Sequence, residues 1–282
     1  MNFFDAQLIR YKNQEVFFHM TFRSPARMED HMYDAPCFIY ALNAEGSVAS
    51  PVGQTPVQQE EGALMRCGSY INKWSAVQPD GKVEIIVIKL IADLVLKIFS
   101  EIEFDPRKSI QKPLLTIKAQ QNLLLQRYME SLLFYFRNPT IVTDDLAYLK
   151  LKELVLLLLQ LPDQDVVKST LLHLFRQEQF TVFQIVENHL FDNFTVEQLA
   201  HFAHMSKATF RRKFKQHSSL PVQKYILNRR LEKAKNLLKA KHKSVAEIGT
   251  ACAFSDPNYF SKVFKQKYGK TPRAYRLAER LK

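Results

Sequence analysis

Two stretches near the end of this 282-residue chain repeat one pattern at a fixed offset, and that repeat constrains the fold more than any other feature. Phe210 and Phe214 return 50 residues later as Phe260 and Phe264, and Arg212 and Lys215 return as Lys262 and Lys265. Leu199 and Ala200 return 49 residues later as Ile248 and Gly249, so the second copy carries one extra residue between its parts. Each copy reads as a short helix, a turn and a second helix. The first copy runs Val196–Phe202, Ala203–Met205 and Ser206–Gln216; the second runs Val245–Ala251, a turn through Phe254, and a helix from Asp256 to Tyr268. Two helices that cross closely need a small residue at the crossing, which Ala200 and Gly249 supply. The buried side of each second helix needs apolar residues at i and i+4, which the phenylalanine pairs supply. The second helices open on capping residues, Ser206 in one and Ser255 or Asp256 in the other, with Pro257 in the first turn.

Charge is distributed as unevenly as the repeat. Residues 181–282 hold 21 lysines and arginines against 7 acidic residues, a net of +14, whereas residues 1–180 have a net of −2. A basic segment joined to a near-neutral one suggests a polyanion partner for the basic segment alone. The outer faces of the second helices carry side chains suited to that partner: Lys207, Ala208, Arg211 and Arg212 in one, and Asn258, Tyr259, Ser261 and Lys262 in the other. A helix-turn-helix places its second helix in the major groove. There, arginine can bond guanine through two donors and asparagine can bond adenine. Lys213, Lys215 and Lys265 fall where phosphates would run, and such contacts set register while base contacts set sequence.

At this point a resemblance becomes specific. The stretches Val245-Ala246-Glu247-Ile248-Gly249, Ala253-Phe254-Ser255-Asp256-Pro257-Asn258-Tyr259-Phe260-Ser261-Lys262-Val263-Phe264-Lys265 and Tyr268-Gly269-Lys270-Thr271-Pro272-Arg273-Ala274-Tyr275-Arg276 resemble the DNA-binding domain of the AraC/XylS family of bacterial transcription regulators. Tyr225-Ile226, Arg230, Ala234 and Leu237-Leu238 resemble that family's linker helix. The resemblance implies seven helices over residues 181–282, with two helix-turn-helix units joined by a linker of roughly 222–240. It implies recognition helices in successive major grooves of promoter DNA, about 34 Å apart. The family's recognition positions fall on Ala208, Arg211 and Arg212 in the first unit, and on Pro257, Asn258, Ser261 and Lys262 in the second. It also implies activation through contact with RNA polymerase. The first unit departs more from the pattern. His204 and Ala253 stand where the family often has glycine, no glycine follows the first recognition helix, and Phe214 to Pro221 is one residue shorter than Phe264 to Pro272.

The first 160 residues carry weaker signals. Residues 1–90 hold five of the seven glycines and candidate strands at Cys37–Leu42, Ala63–Arg66 and Val83–Leu90. From residue 112 the spacing is helical, with one helix over Leu114–Arg137 and a second from Asp144 to Leu161; residues 161–180 read as a third helical stretch or a linker. Val155–Leu159 is apolar all round, which demands burial inside one subunit or at a dimer interface. The family resemblance extends this to an α+β chain: an N-terminal β-rich, cupin-like regulatory domain with a helical dimerisation segment, ahead of an all-α DNA-binding domain. It implies a homodimer and an effector that is a small molecule or a protein. Phe38, Tyr40, Met65, Tyr70 and Trp74 are candidates either for lining an effector pocket or for ordinary core.

No zinc spacing, His-x-His or disulfide framework accompanies the three cysteines, so no metal and no cofactor is expected. The N-terminus lacks the basic and apolar regions of a signal peptide, and the longest apolar run, 154–159, is too short to span a membrane; the expected location is the cytoplasm. No nucleophile elbow, phosphate-binding loop or dinucleotide fingerprint suggests an enzyme. The rival reading is an architectural DNA-binding protein with little sequence preference, against which the varied outer faces of the capped helices argue.

Overall fold

The computed structural model describes residues 3–32, 36–65, 68–100, 115–118, 123–161, 164–174, 180–239 and 243–280. The chain divides into two compact units, Met1–Gln179 and Phe180–Lys282.

The first unit is built on two antiparallel sheets. One sheet orders its strands β1 (Phe3–Tyr11), β2 (Gln14–Arg23), β9 (Lys82–Lys89), β4 (Cys37–Ala41), β7 (Glu61–Met65) and β10 (Leu115–Lys118). The other orders β3 (Ala26–Met32), β8 (Gly68–Ala76), β5 (Ala44–Ser50) and β6 (Gly53–Val57). Lys12 and Asn13, with φ of 48° and 64°, make the two-residue turn between β1 and β2, the conformation whose twist matches a hairpin.

The central strands of the six-stranded sheet are buried on both faces. Successive side chains on a strand point to opposite sides. Along β4, Cys37, Ile39 and Ala41 join a core with Met28, Val48, Val57 and Trp74 of the second sheet. Phe38 and Tyr40 join a different core, with Leu64, Ile86 and Ile88 from the same sheet and the apolar sides of four helices. Those helices are α1 (Ala92–Ser100), α2 (Leu123–Arg137), α3 (Asp144–Leu159) and α4 (Gln164–Leu174). The Tyr128 hydroxyl, fully buried in α2, donates to the Lys150 carbonyl of α3 at 2.8 Å and ties the two helices together.

Several sequence expectations meet their outcome here. The β-rich reading of residues 1–90 holds, although only three of the nine strands there were legible. The helix expected over Leu114–Arg137 starts at Leu123. Ahead of it, Leu115 and Ile117 alternate with Thr116 and Lys118, and this short stretch pairs as β10 with the open edge of β7. Burial within the unit accounts for Val155, Leu158 and Leu159, while Leu156 stays 41% exposed. Within residues 161–180, α4 buries Val167 and Leu171 in the core of the first unit.

The phenyl ring of Phe38 lies over Gly62 so closely that a β-carbon there would come within 2.1 Å of it. Phe38 is fully buried and has no room to yield. Gly62→Ala is therefore expected to lower the unfolding free energy by about 1–3 kcal/mol. Urea denaturation of the full chain measures this, and an unchanged midpoint would mean that the ring moves aside at no cost.

The second unit is helical throughout its described residues. Its seven helices are α5 (Val182–Asn188), α6 (Val196–Phe202), α7 (Lys207–Lys215), α8 (Val222–Lys239), α9 (Val245–Ala251), α10 (Pro257–Tyr268) and α11 (Pro272–Arg280).

Candidate nucleic-acid interface

Three of the short helices begin the same way. Thr181, Thr195 and Ser244 each accept a hydrogen bond from the backbone N–H three residues on, and the Gln184, Gln198 or Glu247 side-chain oxygen in turn accepts one from the cap's own N–H. Each reciprocal pair satisfies two N–H groups that a helix start leaves open. The backbone N–H of Ser244, bonded at 2.6 Å, holds the Glu247 carboxyl below its ordinary value. The spacing Thr/Ser-x-x-Gln/Glu is the signal in the sequence that marks these helix starts.

The two helix-turn-helix units share a turn. In the first, the Met205 N–H donates to the Ala200 carbonyl at 3.0 Å; in the second, the Phe254 N–H donates to the Gly249 carbonyl at 3.0 Å. The residues just before, His204 and Ala253, have φ of 52° and 59°, the left-handed region that favours glycine. These are the positions where the sequence departs from glycine. After this turn the units diverge. Ser206 follows at once and caps α7 by accepting from the Thr209 N–H, whereas Ser255 intervenes before Asp256 caps α10 by accepting from the Asn258 N–H. Ser255 is thus the extra residue that changes the offset from 49 to 50, and the cap is Asp256.

The crossing is tight. A β-carbon on Gly249 would stand 3.3 Å from the Phe260 ring. Phe210, Phe214, Phe260 and Phe264 are at most 1% exposed, which fixes which side of α7 and α10 faces inward. On α7, Lys207, Ala208, Arg211, Arg212 and Lys215 are exposed. On α10, Pro257, Asn258, Tyr259, Lys262 and Lys265 are exposed and Ser261 is half-buried. At 3.6 residues per turn, Ala208, Arg211, Arg212 and Lys215 share the side opposite the phenylalanines, and Asn258, Ser261, Lys262 and Lys265 share the equivalent side. Lys207 and Pro257 flank those faces. Tyr259 lies off its face, with its ring 6.4 Å from that of Phe254.

Among the described residues, no carboxylate pairs with Arg211, Arg212, Lys215, Lys262 or Lys265, whereas Lys207 lies 3.6 Å from Glu197 and Lys267 lies 3.4 Å from Glu232. The outward cations are therefore uncommitted. Beside Arg211 and Lys215, a cleft of about 350 Å³ opens between the end of α7 and the start of α8, floored by Phe214, Leu220 and Val222 and edged by Ser219 and Gln223.

One helix serves both units. The 18 residues of α8 span about 27 Å. Its first half packs on the first helix-turn-helix unit, where Tyr225 meets Phe183 and Phe214. Its second half supplies Leu231, Ala234 and Leu238 to the core of the second. Near the start, the Tyr225 hydroxyl and the Arg229 guanidinium both donate to Glu187 of α5, at 2.6 and 2.8 Å. At its middle, Arg230 donates to three backbone carbonyls, those of Leu190, Ala253 and Asp192, at 2.7, 3.1 and 2.6 Å. Sequence reasoning placed Arg230 on the linker but did not foresee these partners.

Phe180–Lys282 is thus a helical domain of two helix-turn-helix units strung on one linker helix. Residues 199–278 match the model of a helix-turn-helix domain, and residues 36–170 match that of the ExsA N-terminal regulatory domain. The HTH-type transcriptional activator RhaS of Escherichia fergusonii is 36% identical over 91 residues, 32% of this chain, and that of an Enterobacter species is 35% identical over 91 residues. The match spans only 33% of the length of those relatives. The C-terminal domain of the response regulator yesN from Fusobacterium nucleatum is 34% identical over 34% of this chain and 93% of that one, with a TM-score of 0.32. ToxT from Vibrio cholerae aligns with 95% of this chain and 97% of its own at 11% identity and a TM-score of 0.39. Together these matches support an AraC/XylS-type DNA-binding transcription regulator.

The five candidates for an effector pocket do not converge. Phe38 and Tyr40 lie in the core between sheet and helices, and Met65, Tyr70 and Trp74 in the core between the sheets. Each is at most 2% exposed. Among the described residues, no helix is long and apolar enough to cross a membrane.

The left-handed turn residues give a direct test. Placing a non-glycine residue there costs about 1–2 kcal/mol, and glycine returns up to about 1 kcal/mol of that as extra freedom in the unfolded chain. Ala253→Gly is expected to stabilise the second unit by about 0.5–1 kcal/mol in thermal or urea unfolding. A loss of stability would show that the Ala253 methyl makes a compensating contact.

Proposed function

We propose that this chain is a sequence-specific transcription regulator that reads promoter DNA with α7 and α10 in successive major grooves. The observation that carries the reading is the matched pair of outward faces, each fixed by two buried phenylalanines and presenting uncommitted cations. Arg211, Arg212 and Ala208 of α7, and Asn258, Ser261, Lys262 and Pro257 of α10, are assigned to base edges. Lys207, Lys215, Lys265 and Tyr259 are assigned to the backbone. Arginine and asparagine are the side chains whose paired donors and acceptors match guanine and adenine, and a net of +14 over residues 181–282 supplies the salt-sensitive attraction to phosphate.

The direction of control is activation, with RNA polymerase as the protein contact, in line with the activators matched over the DNA-binding region. The first unit acts as the regulatory half, in line with the regulatory-domain model it matches, and takes a small-molecule or protein effector. It also forms a homodimer. Leu149 and Leu156 of α3, two turns apart on one side and 58% and 41% exposed, are apolar surface suited to a second copy.

Selection of bound fragments from random duplex DNA by the full chain, at physiological salt, tests the reading. Enrichment of two sequence blocks about one helical turn apart is the expected result. Binding without enrichment would support an architectural protein instead. Within the selected site, Arg212→Ala is expected to relax base preference in one block only, at about 1–3 kcal/mol. An equal loss on every sequence would make Arg212 a phosphate contact. Lys265→Ala is expected to weaken binding to all sequences alike and to lower the salt slope by about one. An unchanged slope would remove Lys265 from the interface.

A further inference from the structure

Arg230 sits at the midpoint of α8, where the helix passes from the first reading unit to the second. Its three carbonyl partners come from both. Leu190 and Asp192 belong to the segment between α5 and α6, and Ala253 belongs to the turn of the second unit. All three carbonyls lie beyond helix ends, where no intrahelical N–H reaches them. A guanidinium presents five donors in one rigid plane, so it can hold three acceptors at once, and its charge strengthens each bond. Burial holds Arg230 below its ordinary value without removing its proton, so the charge is present at every working pH.

Both ends of this clasp are anchored. On the side of the first helix-turn-helix, the Asp192 carboxylate lies 2.7 Å from the buried His189 ring. That ring stacks on Phe202, the last residue of α6, with centroids 4.9 Å apart. On the second unit, Ala253 precedes Phe254, whose N–H closes the turn, and Asp256, which caps α10. A continuous chain of short contacts therefore runs from the core of the first helix-turn-helix, through one side chain, to the start of the second recognition helix.

From this we propose that Arg230 is a positioning residue that fixes the displacement of α10 relative to α7, and with it the number of base pairs separating the two blocks the protein reads. The inference rests on both helices reading bases. A residue that only stabilised the fold would weaken binding equally at every spacing. A residue that sets displacement changes the preference among spacings and leaves base preference within each block intact.

The test uses the full chain and a duplex series carrying the two selected blocks at their selected spacing and at one and two base pairs more or less. Wild type is expected to discriminate roughly tenfold against a one-base-pair change, because bending or twisting the DNA to fit costs free energy. Arg230→Lys keeps the charge and most of the stem but replaces the planar fork with a compact ammonium. It is expected to bind neighbouring spacings nearly equally, with unchanged base preference in each block. Arg230→Ala, which removes all three bonds, is expected to flatten the profile further. Should it lose its helical circular dichroism, the comparison stands on Arg230→Lys. A folded Arg230→Lys protein with the wild-type spacing profile overturns the inference while leaving the two-block reading in place. Selection of a single block by wild type overturns both.

Discussion

The burial of two phenylalanines four residues apart on each of α7 and α10 is the interaction on which the second unit depends. A helix has only one face to lose to the core, and Phe210 with Phe214, or Phe260 with Phe264, takes it. The residues at the opposite angle must then face outward, whatever their identity. The packing sets orientation, and the outer residues are free to differ between the units, as Arg211-Arg212 and Ser261-Lys262 do. The core also sets how closely the first helix of each unit approaches. A β-carbon on Gly249 would stand 3.3 Å from the Phe260 ring, so a side chain there presses α9 and α10 apart.

The extra residue in the second unit follows from the same packing. The turn bonds, Met205 to Ala200 and Phe254 to Gly249, are equal in length and in residue count, so Ser255 is inserted after the turn has closed. It extends the chain between turn and cap and moves the cap to Asp256, with Pro257 in the first turn. A carboxylate cap followed by proline satisfies one helix-end N–H and removes the need for another. A hydroxyl cap on α7 satisfies its start without proline. The two starts therefore differ in chemistry: a hydroxyl followed by lysine in one, and a carboxylate followed by proline in the other.

The sequence was most legible where structure is local. The helices of the second unit have ends set by nearby letters, and the reading of Val196–Phe202 and Val245–Ala251 matches the observed bounds. The capping boxes were equally local and went unread. The first unit was harder because antiparallel pairing joins residues far apart in sequence. Nothing in the letters of β3 announces its pairing with β8, some 40 residues on. The four residues of β10 were absorbed into a neighbouring helix because a stretch that short fits either period, and only the open edge of β7 decides it. The clasp of Arg230 was invisible for another reason. Its partners are backbone carbonyls, and a carbonyl leaves no letter behind.

The two-faced sheet of the first unit bears on where a regulatory signal can enter. Every second residue of β4 belongs to one core and the residues between to the other, so Phe38 and Ile39 are neighbours in sequence on opposite sides of a layer. A ligand that displaced side chains in the core between the sheets would press on Met65, Tyr70 and Trp74. One entering between sheet and helices would press on Phe38 and Tyr40, and through the same core on Leu132 and Leu154 of α2 and α3. Close-packed interiors transmit such strain rather than absorb it. The helix-facing core therefore couples most directly to α3, whose outer side carries Leu149 and Leu156. A signal received there would act on the surface proposed for the second copy, whereas one received between the sheets would first pass through β4.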